Sequence, residues 1–363
     1  MNRILKIFLL ILLIFSLVVF FTLKVMSPGT ARPIQDEAGN LFPNSISEVR
    51  KIPIGGVDQY VIIRGVDRSK PVLLFLHGGP GSPEFPIMTD DELILEKKFI
   101  VVHWEQRGSG KSLHKNISDS SMNLDQLISD ALEVSKYLQQ TFKQDKIYLM
   151  GHSWGSFLGM LLIDKHPSPF HSYVGIGQVA HQYRAEKISL DWIKNEVEQM
   201  NEVNDLSELA DLTFPDSLAD SHTWLDYLGV QRNYVNKYGG GLTRQPINVW
   251  VDIGQTILNT KEYTITDKIN FLRGNYYSMN HLWESVIQTN LFSAIDSVEV
   301  PVHIIHGIHD YQTPHIVALE FYQQLKAPKK TFHSFANSAH SPFLDEPEIF
   351  NAIILETVLE KTP

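Results

Sequence analysis

The chain has no cysteine among its 363 residues, which removes thiol nucleophiles, thiolate metal centres and disulfide staples from consideration. Its stability must come from a packed core. Positive charge is the second shortage: 31 Lys and Arg stand against 41 Asp and Glu, a formal net charge of -10. Such a balance repels phosphate backbones, so no nucleic-acid partner is expected. Internal repeats are also missing, and one apolar run near the amino end is the only tract of biased composition. What is present, 43% apolar and 20% charged residues, is the composition of a folded globular protein with a large core.

The apolar run extends from Ile7 to Leu23, broken only by Ser16 and Thr22 and flanked by Arg3, Lys6 and Lys24. It is longer than a secretory h-region, nearly spans a bilayer and lacks the polar face of a core helix. Residues 1–26 therefore read as a single-pass signal anchor, with residues 4–26 in the lipid bilayer. Cleavage after the weak Gly29-Thr30-Ala31 site, which would give a secreted protein, is the alternative. Arg3, Lys6 and the N-terminal amine bias the amino end toward the cytoplasm and the remainder to the outer side. Residues 27–50, with Pro28, Pro33, Pro43, Gly29 and Gly39, read as a linker.

Beyond the linker, strands are expected at Gln59–Val66, Pro71–Leu76, Phe99–Trp104, Lys146–Met150 and Tyr173–Ile176. Leu124–Phe142 carries apolar residues at three- and four-residue spacing, an amphipathic helix, and Trp154–Lys165 is a second helix. This alternation argues for an open parallel sheet over 51–180. The rhythm breaks at His181–Ile295, a mostly helical stretch rich in Trp, Tyr, Asn and Asp, expected to be an inserted cap. The sheet resumes over 296–363 with Val300–His306, a helix at Pro314–Leu325, a strand at Lys330–Phe335 and a terminal helix at Pro347–Glu360.

Gly151-His152-Ser153-Trp154-Gly155 falls where a predicted strand meets a predicted helix. Alone, Ser153 would be a helix cap. On a tight strand-to-helix turn its hydroxyl is exposed, and the glycines let neighbouring backbone approach, which makes Ser153 the candidate nucleophile. A serine needs a base oriented by an acid. Asp310 and His340 each follow a later predicted strand, and groups at the carboxyl ends of sheet strands can converge. His77-Gly78-Gly79-Pro80-Gly81 closes another strand, and the N–H groups of Gly79 and Trp154 are candidate oxyanion donors. His306, His309 and Asp310 are a poor metal set with no second ligand pair elsewhere, so no metal and no cofactor are expected. His77 and His152 read as structural.

Three stretches, His77–Gly81, Trp104-Glu105-Gln106-Arg107-Gly108-Ser109-Gly110-Lys111-Ser112 and Gly151–Ser156, resemble the prolyl aminopeptidase (proline iminopeptidase) group of serine peptidases. The likeness spans about residues 55–355 apart from the cap. It implies an α/β-hydrolase fold, a mostly parallel twisted sheet flanked by helices, with an inserted helical cap, to which the apolar run adds an N-terminal transmembrane helix. It further implies release of N-terminal residues, often proline, from small peptides, with carboxylates holding the substrate amine. Glu186, after Gly177-Gln178-Val179, resembles such a carboxylate, and Glu284 beside Trp283 is a weaker candidate. The group has Asp where Glu105 stands, and Arg107 and Gly110 are expected to brace the loop. An esterase or amide hydrolase acting on another small substrate is the alternative, and a non-catalytic small-molecule sensor is a third reading.

Overall fold

The computed structural model describes residues 3–88, 93–247 and 249–359. Helix α1 (Arg3–Val25) is followed by β1 (Ile46–Ile54), β2 (Val57–Gly65), β3 (Val72–Leu76), α2 (Leu93–Glu96), β4 (Ile100–Glu105), α3 (Leu124–Phe142), β5 (Ile147–His152), α4 (Trp154–Lys165) and β6 (Phe170–Ile176). Next come α5 (Gln182–Met200), α6 (Val203–Asp211), α7 (Ser221–Lys237), α8 (Val249–Asn259), α9 (Ile265–Gln288) and α10 (Leu291–Ala294). The chain closes with β7 (Val302–Gly307), α11 (His315–Gln324), β8 (Lys330–Phe335), α12 (Pro342–Asp345) and α13 (Pro347–Ile353).

The strands form one sheet in the order β1-β2-β4-β3-β5-β6-β7-β8. It is antiparallel at β1–β2 and β2–β4 and parallel elsewhere. Strands β3, β4 and β5 are buried along their whole length, which explains why β3 and the first halves of β4 and β5 read as apolar runs without alternation. On β3, Leu74 and Leu76 enter the core that includes α3 and α4, whereas Leu73 and Phe75 enter the one that includes Phe343 and Phe350. Helix α3 starts where Asn123 caps the N–H of Gln126 at 3.0 Å, and it buries Leu127, Ile128, Ala131, Val134 and Leu138. Its buried Asp130 holds Arg107 at 2.8 Å.

Strand β3 pairs with β4 on one side and β5 on the other. The winding reverses between them, and the carboxyl ends of β3 and β5 flank the resulting crevice. The turn at His77–Gly81 and Ser153 sit at those two ends.

Three expectations need correction. Residues 46–50, assigned to the linker, begin β1. Glu48, Arg50 and Lys51 mask that strand in the sequence, a composition suited to the edge position it takes. Residues 27–45 are not a free tether, since Ser27 and Ile34 are buried against the body. The terminal helix expected over 347–360 is α13 followed by a π-helical stretch to Leu359; Glu360 lies outside the described residues.

Candidate active site

Ser153 joins β5 to α4 with φ 54° and ψ -121°, a backbone conformation that side chains other than glycine rarely adopt. The flanking glycines make the turn sterically feasible. A Cβ at Gly155 would lie 1.9 Å from the Leu76 carbonyl oxygen, and one at Gly151 would lie 2.2 Å from that of Gly155. The motif is thus a steric requirement for packing β3, the turn and α4 together.

Asp310 and His340 are brought together from the ends of β7 and β8. His340 Nδ1 donates to Asp310 Oδ2 at 2.8 Å, and both side chains are buried. The carboxylate is fully engaged: Oδ1 accepts the N–H groups of Gln312 and Thr313 at 2.9 Å, and Oδ2 accepts the Thr313 hydroxyl at 2.8 Å. Burial alone would push the Asp310 carboxyl up, but the imidazoles of His340 and His306 hold it well below the usual carboxylate range. Burial lowers His340 below the ordinary imidazole value, against the pull of Asp310. The His340 ring lies against Gly177, where an added Cβ would stand 2.9 Å from Cε1. The Ser153 N–H donates to the adjacent Ile176 carbonyl at 2.9 Å, so both residues border the end of β6.

His152, the residue before Ser153, ties the parts together. Its Nε2 donates to the His340 carbonyl at 3.0 Å and its Nδ1 donates to buried Glu84. Burial opposes charge on this ring, yet the Glu84 carboxylate raises His152 above its ordinary value. Glu84 also accepts the N–H of Gly78 at 3.1 Å, linking the glycine turn to the serine turn. Sequence reasoning missed Glu84, which carries no motif, and Thr313, whose spacing from Asp310 is that of a local side-chain turn.

The glycine turn is braced from below. His77 Nδ1 donates to the Gly78 carbonyl at 2.9 Å, and its Nε2 accepts the Gln106 N–H at 3.1 Å. Burial holds this ring neutral, with its pKa lowered to about 4. Gln106 Oε1 accepts Trp154 Nε1 at 2.8 Å. Arg107 pairs with Asp130, and Gly110 leaves room for Glu105, whose Oε2 would lie 2.1 Å from an added Cβ. Burial raises the Glu105 carboxyl to about 7. Among the described hydrogen bonds none uses the backbone N–H of Gly79 or Trp154.

Above Ser153 lies a cavity of about 270 Å³ lined by Gly79, Trp154, Gln182, Arg232, Asn275 and Thr313, among others. Glu186 stands behind Gln182 and Arg232. It is fully buried, its Oε2 accepts Arg232 Nη1 at 2.9 Å, and its Oε1 accepts Arg232 Nη2 and Gln182 Nε2. From this cluster it is the guanidinium, not an open carboxylate, that borders the cavity. Glu284 is turned to other work, accepting the Ser221 N–H at 3.1 Å where α7 begins. His306 is engaged as well: Nδ1 accepts the Gln178 N–H at 3.2 Å and Nε2 donates to the Thr313 carbonyl at 2.7 Å.

Comparison with known proteins agrees with this architecture. The family described as alpha/beta hydrolase fold matches residues 71–347. The "Probable aminopeptidase YbaC" of Bacillus subtilis (strain 168) is 35% identical over 312 residues, 84% of this chain and 94% of that protein. A proline iminopeptidase of Heyndrickxia coagulans is 25% identical over 288 residues, 78% of this chain and 88% of that protein. The crystal structure of proline iminopeptidase from Mycobacterium smegmatis superposes with a TM-score of 0.59 at 17% identity, covering 85% of this chain and 96% of that one. Sheet order, serine turn and family match lead to one conclusion: this chain belongs to the α/β-hydrolase fold family.

Proposed function

We propose that the protein is a serine hydrolase in which Ser153 is the nucleophile, His340 the base and Asp310 the orienting acid. The observation that carries this reading is the positive-φ serine below the cavity, with the buried Asp310–His340 pair joined to the serine turn through His152, which bonds the His340 carbonyl and lies against its ring. Ser153 Oγ attacks the substrate carbonyl while its proton passes to His340 Nε2. Asp310 holds the Nδ1 proton in place and stabilises the imidazolium. The N–H groups of Gly79 and Trp154 receive the oxyanion. His340 then gives its proton to the leaving group, and water repeats the sequence on the acyl-enzyme.

The names of the relatives support an aminopeptidase that releases N-terminal residues, proline among them, from small peptides. The cavity volume suits a small substrate. An exposed apolar helix of 23 residues supports anchoring by α1, with the enzyme body outside the cytoplasm. A second reading, an esterase or amide hydrolase that needs no free amine, is favoured by one observation: Glu186 is sequestered by Arg232. Labelling with a fluorophosphonate probe tests the serine chemistry. A panel of N-terminal amino-acid arylamides against short-chain esters separates the two substrate classes.

A further inference from the structure

The first half of helix α9 turns Phe271, Gly274 and Ser278 inward, on one face at three- and four-residue spacing. The outer face ought to be polar, yet Ile269, Leu272 and Tyr276, at three- and four-residue spacing, are 55%, 54% and 57% exposed. Leu258, near the end of α8, is also exposed. Contiguous exposed apolar residues mark a surface that something covers.

The chain leaving α1 is fastened at the base of this same helix. Lys268 Nζ donates to the Met26 carbonyl at 3.1 Å, to Ser27 Oγ at 2.8 Å and to the Leu258 carbonyl at 2.6 Å. The Gly29 N–H donates to the Lys261 carbonyl at 3.0 Å, and Arg32 Nε pairs with Glu262 at 3.0 Å. Whatever receives α1 therefore begins within one side-chain length of the first turn of α9. A rise of about 1.5 Å per residue puts Tyr276 only about 16 Å along the helix from that turn.

We propose that the outer face of α9 rests on the bilayer that α1 enters, so that the body is held in one orientation. This rests on the reading of α1 as a membrane anchor. A lipid surface is the occupant favoured by position, since the patch continues from the anchor's exit point. The chemistry agrees: Tyr276 suits the headgroup level, and Lys24 on α1, Lys261 just before α9 and Arg273 on α9, all exposed, are cations on the segments that adjoin the patch and suit anionic lipid. The same helix carries Asn275, Met279 and Trp283 into the cavity wall. Docking α9 therefore holds the cavity close to the membrane surface.

The absence of native cysteine permits a direct test with single-cysteine variants of the full chain. Leu272→Cys and Tyr276→Cys probe the patch, Phe15→Cys probes α1, and Leu218→Cys, at a side chain 79% exposed elsewhere, is the aqueous control. Each is labelled with an environment-sensitive fluorophore and reconstituted in phosphatidylcholine and phosphatidylglycerol vesicles with or without spin-labelled lipid, the label near the headgroup for positions 272, 276 and 218 and deep in the acyl chain for position 15. The expected result is blue-shifted emission at positions 272 and 276, lost on adding spin-labelled lipid, with position 218 unaffected. Quenching at 15 with positions 272 and 276 as aqueous as 218 overturns the docking while the anchor stands. No quenching at 15 overturns both. Blue-shifted emission at 272 and 276 that spin-labelled lipid does not quench means a protein partner, such as a second copy, and also overturns the proposal.

Discussion

At the scale of single residues, the proposed chemistry makes Ser153 the most sensitive position. Ser153→Ala removes one hydroxyl from the turn, so the melting temperature should hold while turnover falls by a factor on the order of a million, as losses in such triads do. Activity above about a hundredth of the starting value would exclude Ser153 as the nucleophile. His340 must be neutral to act as base, and burial lowers its pKa in the folded protein. Falling pH therefore protonates it later than an ordinary imidazole. The acid limb of kcat/KM should lie below the usual value of about 6.5; a limb above that value would contradict the burial argument. Glu186 offers a third residue-scale test. If it serves to hold Arg232, Glu186→Gln should lower kcat/KM on amine-bearing arylamides and on simple esters alike. A loss of about tenfold or more confined to the arylamides would mean that Glu186 meets the substrate amine directly.

At the scale of elements, the loop after β4 braces the site. Arg107 reaches from that loop to Asp130 on α3 and to the Gly55 carbonyl in the β1–β2 turn, at 2.8 Å in both cases. Both charged side chains are buried. Removing one leaves the other desolvated without its counter-charge, so Arg107→Ala should destabilise the fold by about 3–5 kcal/mol. A urea unfolding series measures this directly; a change within about 1 kcal/mol would show that the loop, α3 and the β1–β2 turn do not depend on the pair. The same elements explain the sequence motif around Arg107: the site needs the glycine turn after β3 to be held, and the β4 loop is the adjacent backbone that can hold it.

At the scale of the whole molecule, the amino-terminal segment divides into two parts with different tasks. Helix α1 buries no residue in the body, whereas Ser27, Gly29, Arg32 and Ile34 are packed or bonded against it. Deleting residues 1–25, which keeps the Met26 carbonyl that accepts from Lys268, should leave the melting temperature and the hydrolase activity unchanged and, on the anchor reading of α1, release the protein from membranes. Deleting residues 1–34 should lower the melting temperature by several degrees, because the buried Glu262 carboxylate loses Arg32 and the core loses Ile34. Equal melting temperatures for the two truncations would show that the docked segment adds nothing to stability.

The division between what was legible and what was not follows the range of the forces involved. The serine turn, the fully buried strands and helix α3 could be read from the sequence because each is set by local sterics, by glycine spacing or by hydrophobic period. Asp310 and His340 were legible one step further, since strand ends in a parallel sheet share one edge. Strand β1 was hidden because an edge strand rich in Glu, Arg and Lys lacks the apolar run that marks a central one. Glu84 on His152, Arg232 on Glu186 and Lys268 on Met26 are pairings across 68, 46 and 242 residues. No local pattern encodes them. The sequence alone determined the central strands, helices α3 and α4, the serine turn and the apolar amino-terminal run, because backbone sterics and burial act on neighbours. Only the tertiary structure decided which charge faces the cavity and where the segment after α1 joins the body, because those depend on how distant side chains share one buried space.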